Sequence, residues 1–276
     1  MQYCSSLKFL PLLVHLQRSL RPRAQPQRSY HRTYVLNSSG VDVSLIEKIA
    51  ETLVGKSWSL VCATATDAGA LIQSPRSFLN TMKGRSVLCP NAWFFSLVVA
   101  VGLGVMSLPA LRLAGVKPTH ELAGVMTAIN WVLIVIYATC FAVAARLLRS
   151  KQSLMVTINT FFFLSACLVV LKIVEGPALG ARLHAMLQTC IALDYSLAVT
   201  AAIQKSQAYT SANDNVGFGY LGFAALMAWA LKVLHDFRWM RALIATVIGM
   251  GLLAVVAGSV QEPFIAQMVC AYGQGS

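Results

Sequence analysis

Charge is what this sequence has least of. Asp, Glu, Lys and Arg make up 12% of its 276 residues, about half the share found in soluble domains. So little polar side-chain surface cannot cover a water-soluble core, and a 57% hydrophobic content equally excludes intrinsic disorder. Acids are the scarcer sign: all ten lie at or after Asp42, so the first 41 residues carry six bases and no acid. Catalytic signatures are missing as well. No G-x-S-x-G, H-E-x-x-H, P-loop or paired-acid motif occurs, so no hydrolase, metalloprotease or nucleotide-binding chemistry has local support. The seven cysteines contain no C-x-x-C pair, which predicts neither a zinc site nor a disulfide framework. No aromatic-basic patch accompanies the positive charge, so nucleic acid is not an expected partner.

What the first 41 residues do contain is Lys8, Arg18, Arg21, Arg23, Arg28 and Arg32 among six serines. Arg-rich, Ser-rich and acid-free is the composition of an organellar transit peptide. Residues 1–41 therefore read as a mitochondrial targeting presequence, with a plastid or other organellar address, or an uncleaved leader, as the alternatives. The stretch Gln27-Arg28-Ser29-Tyr30-His31-Arg32-Thr33-Tyr34 resembles the Arg-containing cleavage sites of mitochondrial presequences. Removing the leader lowers the net charge from +12 to +6, the balance of sixteen bases against ten acids. Half of the basicity is an address.

The remainder is greasy helix. Residues 42–91 form a pre-membrane segment with an amphipathic helix over 44–54, where Leu45, Ile49 and Leu53 share a face and Ser44 with Glu47 fits a capping box. Asp67 interrupts Leu60–Ile72, which excludes a span there. Six apolar runs long enough for a bilayer follow within 92–262: Ala92–Leu111, Leu122–Ala145, Ser153–Val174, Ala178–Ile203, Val216–Leu234 and Ala242–Val260. Residues 263–276 read as a short tail. The predicted fold is all-α, a polytopic integral membrane helix bundle with about six transmembrane helices. Small residues at Gly102, Gly104, Gly219, Ala245 and Gly249 suit close helix packing. Six spans put both termini on one side. They also divide the fourteen bases from Arg76 onward seven against seven, so the positive-inside count selects no orientation.

One acid stands inside a predicted span. Asp194, with His184, Gln188 and Tyr195, makes a polar stripe on the fourth segment, and Asn130, Asn159 and Thr157 are candidate partners from neighbouring helices. An acid at a bilayer's centre costs about 2.5–3.5 kcal/mol, so it must face protein or water. The order His184, then Asp194-Tyr195, resembles the His…Asp-Tyr element in the small membrane anchor of succinate dehydrogenase, with a spacing one residue shorter. That resemblance implies a tyrosine near bound quinone and a histidine near haem. A second axial histidine is poorly supplied, because His120 and His235 fall at segment ends.

The expected function is that of a multi-pass mitochondrial inner-membrane protein serving as a non-enzymatic structural, accessory or assembly subunit of a larger complex. Its partners are then the lipid bilayer and other membrane-complex subunits, with no catalytic residue, metal or cofactor expected. Two alternatives stand beside it: a small-solute or proton-coupled transporter centred on Asp194, and a quinone- or haem-binding redox anchor.

Overall fold

The computed structural model describes residues 43–117, 119–188, 190 and 207–273. Every regular element among them is helical. They are α1 (Val43–Gln73), α2 (Pro75–Met82), α3 (Pro90–Leu113), α4 (His120–Leu147), α5 (Leu154–Leu164), α6 (Ala166–Gln188), α7 (Gln207–His235), α8 (Trp239–Val256), a π-helical turn (Ala257–Gln261) and α9 (Glu262–Gly273). The chain divides into two compact units, Met1–Cys62 and Ala63–Ser276, with the boundary inside α1. The first unit, where described, is helix alone; the helical bundle belongs to the second.

The helix expected over 44–54 starts at Val43 and continues to Gln73. Nothing between Leu53 and Gln73 breaks it until Pro75, which disfavours helical geometry in the residue before it and opens α2 at its first position.

Among the described residues four helices are long and apolar enough to cross a bilayer: Pro90–Leu113, His120–Leu147, Val216–His235 and Trp239–Tyr272. The pair Leu154–Leu164 and Ala166–His184, bent by 46°, passes as a fifth when taken together. The six expected runs differ from this chiefly at the boundary between the third and the fourth. Glu175-Gly176-Pro177 reads as punctuation in sequence, yet α6 passes straight through it. A proline removes one helical hydrogen bond, and packing of α6 between α3 and α7 holds the helix across that gap. The break falls instead at Ser165, a buried residue whose hydroxyl donates to the Phe162 carbonyl at 2.6 Å, the kind of local bond that bends helices. The remainder of the fourth expected run, after Cys190, lies outside the described residues. The last apolar run is also longer than expected, since helix continues through the π turn to Tyr272.

This connectivity gives the bundle two chemically different ends. At one end Lys83 meets Asp236 at 2.7 Å, Ser150 meets His235 at 2.6 Å, and Ser153 donates to the Ser86 carbonyl. At the other, Arg182 pairs with Glu262, and the His184 ring approaches the Ala114 carbonyl at 3.5 Å. The first end collects Arg76, Lys83, Arg85, Arg146, Arg149, Lys151, Lys232, Arg238 and Arg241; the second has Arg112, Lys117 and Arg182. Of the fourteen bases divided evenly on the six-span expectation, nine therefore gather at the first end and three at the second, while Lys172 lines an inner cavity and Lys205 lies outside the described residues. Joining the third and fourth runs moves Lys232, Arg238 and Arg241 to the other end.

The core is built around α5. All nine residues from Val156 to Leu164 are buried, and a helix buried on every face must be surrounded by neighbours. Phe161, Phe162 and Phe163 each meet a different partner: Phe141 at 5.5 Å, Trp93 at 4.9 Å and Phe78 at 5.2 Å between ring centroids. Helix α8 closes on this cluster at Gly249, where an added Cβ would stand 2.5 Å from Phe141 Cδ1.

Candidate functional site

Polar side chains from three helices and the π turn converge on one cavity of about 100 Å³ inside the bundle, room for a few waters. Helix α4 supplies Asn130 and Tyr137, α6 supplies Lys172 and Glu175, α7 supplies Tyr220, and the π turn supplies Gln261. Leu103, Leu133, Leu171 and Phe223 form part of the apolar wall.

Helical spacing builds the charged part. Lys172 and Glu175 stand at i and i+3 and so share a face of α6; their Nζ and Oε2 are 3.2 Å apart, with side chains 15% and 25% exposed. Two charges in so apolar a helix avoid the full desolvation cost only because each has the other. Opposite them, the Tyr137 hydroxyl donates to Gln261 Oε1. Gln261 ends the π-helical turn, and such turns, with their extra residue, often occur at functional sites. Asn130 Nδ2 is buried and finds no hydrogen-bond partner among the described residues. An unsatisfied buried amide costs about 1–3 kcal/mol, so a water or solute oxygen beside it has a reason to be there. The cavity thus offers a cation, an anion, two phenols and two carboxamides within an apolar shell. That set can hold a small polar solute or a short chain of waters.

The residues expected from sequence fall in different settings. Asn130 lines the cavity. Asn159 is fully buried and serves as a clasp: its Oδ1 accepts from Cys89 N, and its Nδ2 donates to the carbonyls of Arg85 and Val87. His184 is exposed near the second end of the bundle, and Gln188 closes α6. Asp194 and Tyr195 lie outside the described residues. Thr157, another expected partner, bonds His235 instead, at 3.0 Å. Because Ser150 takes the other ring nitrogen, both nitrogens of His235 are engaged. The Ser150–His235 pair has no adjoining space for a substrate, so it reads as a pin between the α4–α5 turn and the end of α7.

Sequence reasoning missed Lys172, Glu175, Tyr137, Tyr220 and Gln261. The signal existed: a Lys and a Glu three residues apart in the run Leu168–Val174 and its next residue. Treating Glu175-Gly176-Pro177 as a loop hid it.

Two further features bear on function. Asp67 receives a bidentate pair from Arg85 (2.7 and 3.0 Å) and a bond from Asn91 Nδ2. That carboxylate's hydrogen bond holds the Arg85 guanidinium above its ordinary pKa despite partial burial. The second is a correction to the expectation of no disulfide: Cys190 bonds Cys270 of α9. The two are 80 residues apart in sequence, so no local spacing announces the bond. Among the described residues no group of three His, Cys, Asp or Glu side chains is placed to hold a metal ion. Comparisons with models of protein families, with curated proteins and with solved structures found no match to this chain.

Proposed function

We propose that the chain is an integral membrane protein that crosses the bilayer five times and serves as a non-enzymatic subunit or assembly partner of a larger membrane complex. The observation that carries this reading is how little apolar helix surface the chain covers by itself. In their most apolar windows Val216–His235 is 28% buried and Trp239–Tyr272 only 17%. Surfaces so large and apolar face lipid or another protein. The acid-free leader supports the mitochondrial inner membrane as the destination.

Two independent features support one orientation. Nine bases against three favour the first end facing the matrix, by the positive-inside rule. The Cys190–Cys270 disulfide, near the opposite end, favours that end facing an oxidising compartment. On a native gel of solubilised membranes the chain should co-migrate with a large assembly whose members mass spectrometry identifies. Migration as a lone monomer would overturn the subunit reading.

A second reading is favoured by the Lys172–Glu175 cavity: a small-solute or proton-coupled carrier, with its polar centre on α6. In vesicles under an imposed potential, Glu175→Gln should abolish proton flux while leaving assembly intact. Equal flux in variant and wild type would remove this reading and leave the first untouched.

A further inference from the structure

We propose that the groove between α2 and the α7–α8 turn binds the headgroup of an anionic phospholipid. The groove measures about 380 Å³, and Arg76, Asn80, Lys83, Lys232, Asp236 and Trp239 are among its lining residues. Three cations face one acid there. Lys83 already neutralises Asp236 at 2.7 Å, which leaves Arg76 and Lys232 without a carboxylate partner among the described residues. Lys232 Nζ sits 4.1 Å from the centre of the Trp239 ring, which orients the ammonium without cancelling its charge. Arg238 and Arg241 flank the turn, Arg241 over Phe237 at 5.6 Å. The groove is therefore a concave site with surplus positive charge, shaped for an anionic oxygen cluster.

Its position identifies the anion's source. The groove opens where one apolar helix ends at His235 and the next begins at Trp239. Below Trp239, which is exposed, the same face of α8 presents exposed Met240, Leu243, Ile244 and Val247. A headgroup in the groove would lay its acyl chains along that apolar strip, whereas free phosphate would use neither the strip nor most of the volume. Basic pockets between membrane helices, at the leaflet the positive-inside rule selects, suit anionic headgroups. The proposal rests on the membrane-spanning reading.

The test uses the purified full chain in neutral detergent, titrated with phosphatidylglycerol, phosphatidylcholine or inorganic phosphate. Binding is read by native mass spectrometry and by the shift in melting temperature. Wild type should retain phosphatidylglycerol at least tenfold over phosphatidylcholine. Near a membrane surface each removed cation weakens anionic-lipid binding about fivefold, so Arg76→Gln/Lys232→Gln should lose most of that preference. Arg76→Gln alone, on the exposed face of α2, should lose part of it without touching the core. The charge-matched Arg112→Gln/Lys117→Gln, at the other end, should keep it. Equal preference in wild type and groove variants overturns the proposal. So does protection by inorganic phosphate as large as that by phosphatidylglycerol. Neither failure would alter the number of spans.

Discussion

Single side chains set how closely these helices meet. Gly249 and Gly251 lie two residues apart on α8, yet an added Cβ meets Phe141 at one and nothing within 4 Å at the other. Phe141 cannot retreat easily, because it stacks on Phe161 and meets Phe223 edge-on. Gly249→Ala should cost about 1–3 kcal/mol, the usual penalty of overpacking, whereas Gly251→Ala should be neutral or stabilising. Thermal unfolding in mild detergent distinguishes them; equal melting temperatures would contradict the α4–α8 contact. Asn159→Ala leaves the carbonyls of Arg85 and Val87 and the Cys89 amide without their partner, so a loss of about 2–3 kcal/mol is expected in the same assay. At Arg149, φ is +58°, a left-handed conformation costing a non-glycine residue about 1–2 kcal/mol. The side chain is exposed, so Arg149→Gly should stabilise by about 1 kcal/mol, and a fall in melting temperature would show that the arginine earns its place by an unseen contact.

At the scale of elements, the apolar runs were legible and their punctuation was not. Hydropathy located α3, α4, the apolar part of α7 and α8 because each is long and bounded by bases. It misplaced the break between α5 and α6. A Gly-Pro pair carries a strong local signal, while the bend at Ser165 depends on a hydroxyl bond and on aromatic neighbours distant in sequence. The same reason hid the candidate cavity, whose polar members come from residues 130 to 261 and meet only after packing. It also hid Cys190–Cys270, since pairing over 80 residues leaves no trace in spacing. Non-reducing gels of the wild type and Cys270→Ser should differ in mobility. Reduction should lower the wild-type melting point and leave the variant unchanged, since closing a loop of this length contributes about 4 kcal/mol on the chain-entropy account. A wild type insensitive to reductant would contradict the bond.

At the scale of the whole molecule, five spans and six make opposite statements about where the basic turns lie. With six, the α4–α5 turn and the α7–α8 turn face opposite compartments; with five, they share one. The low charge of the sequence pointed to long apolar helices, and four are long and apolar enough to cross a bilayer among the described residues, but the sidedness of the few charges emerges only from which helix ends meet. The most direct measurement labels single cysteines with a membrane-impermeant maleimide in sealed, outward-facing membranes, using Lys151→Cys, Arg238→Cys and Glu121→Cys in a background otherwise free of cysteine. The five-span account predicts that Glu121→Cys labels at once, and that Lys151→Cys and Arg238→Cys label together only after lysis. Labelling of Arg238→Cys without Lys151→Cys would contradict it.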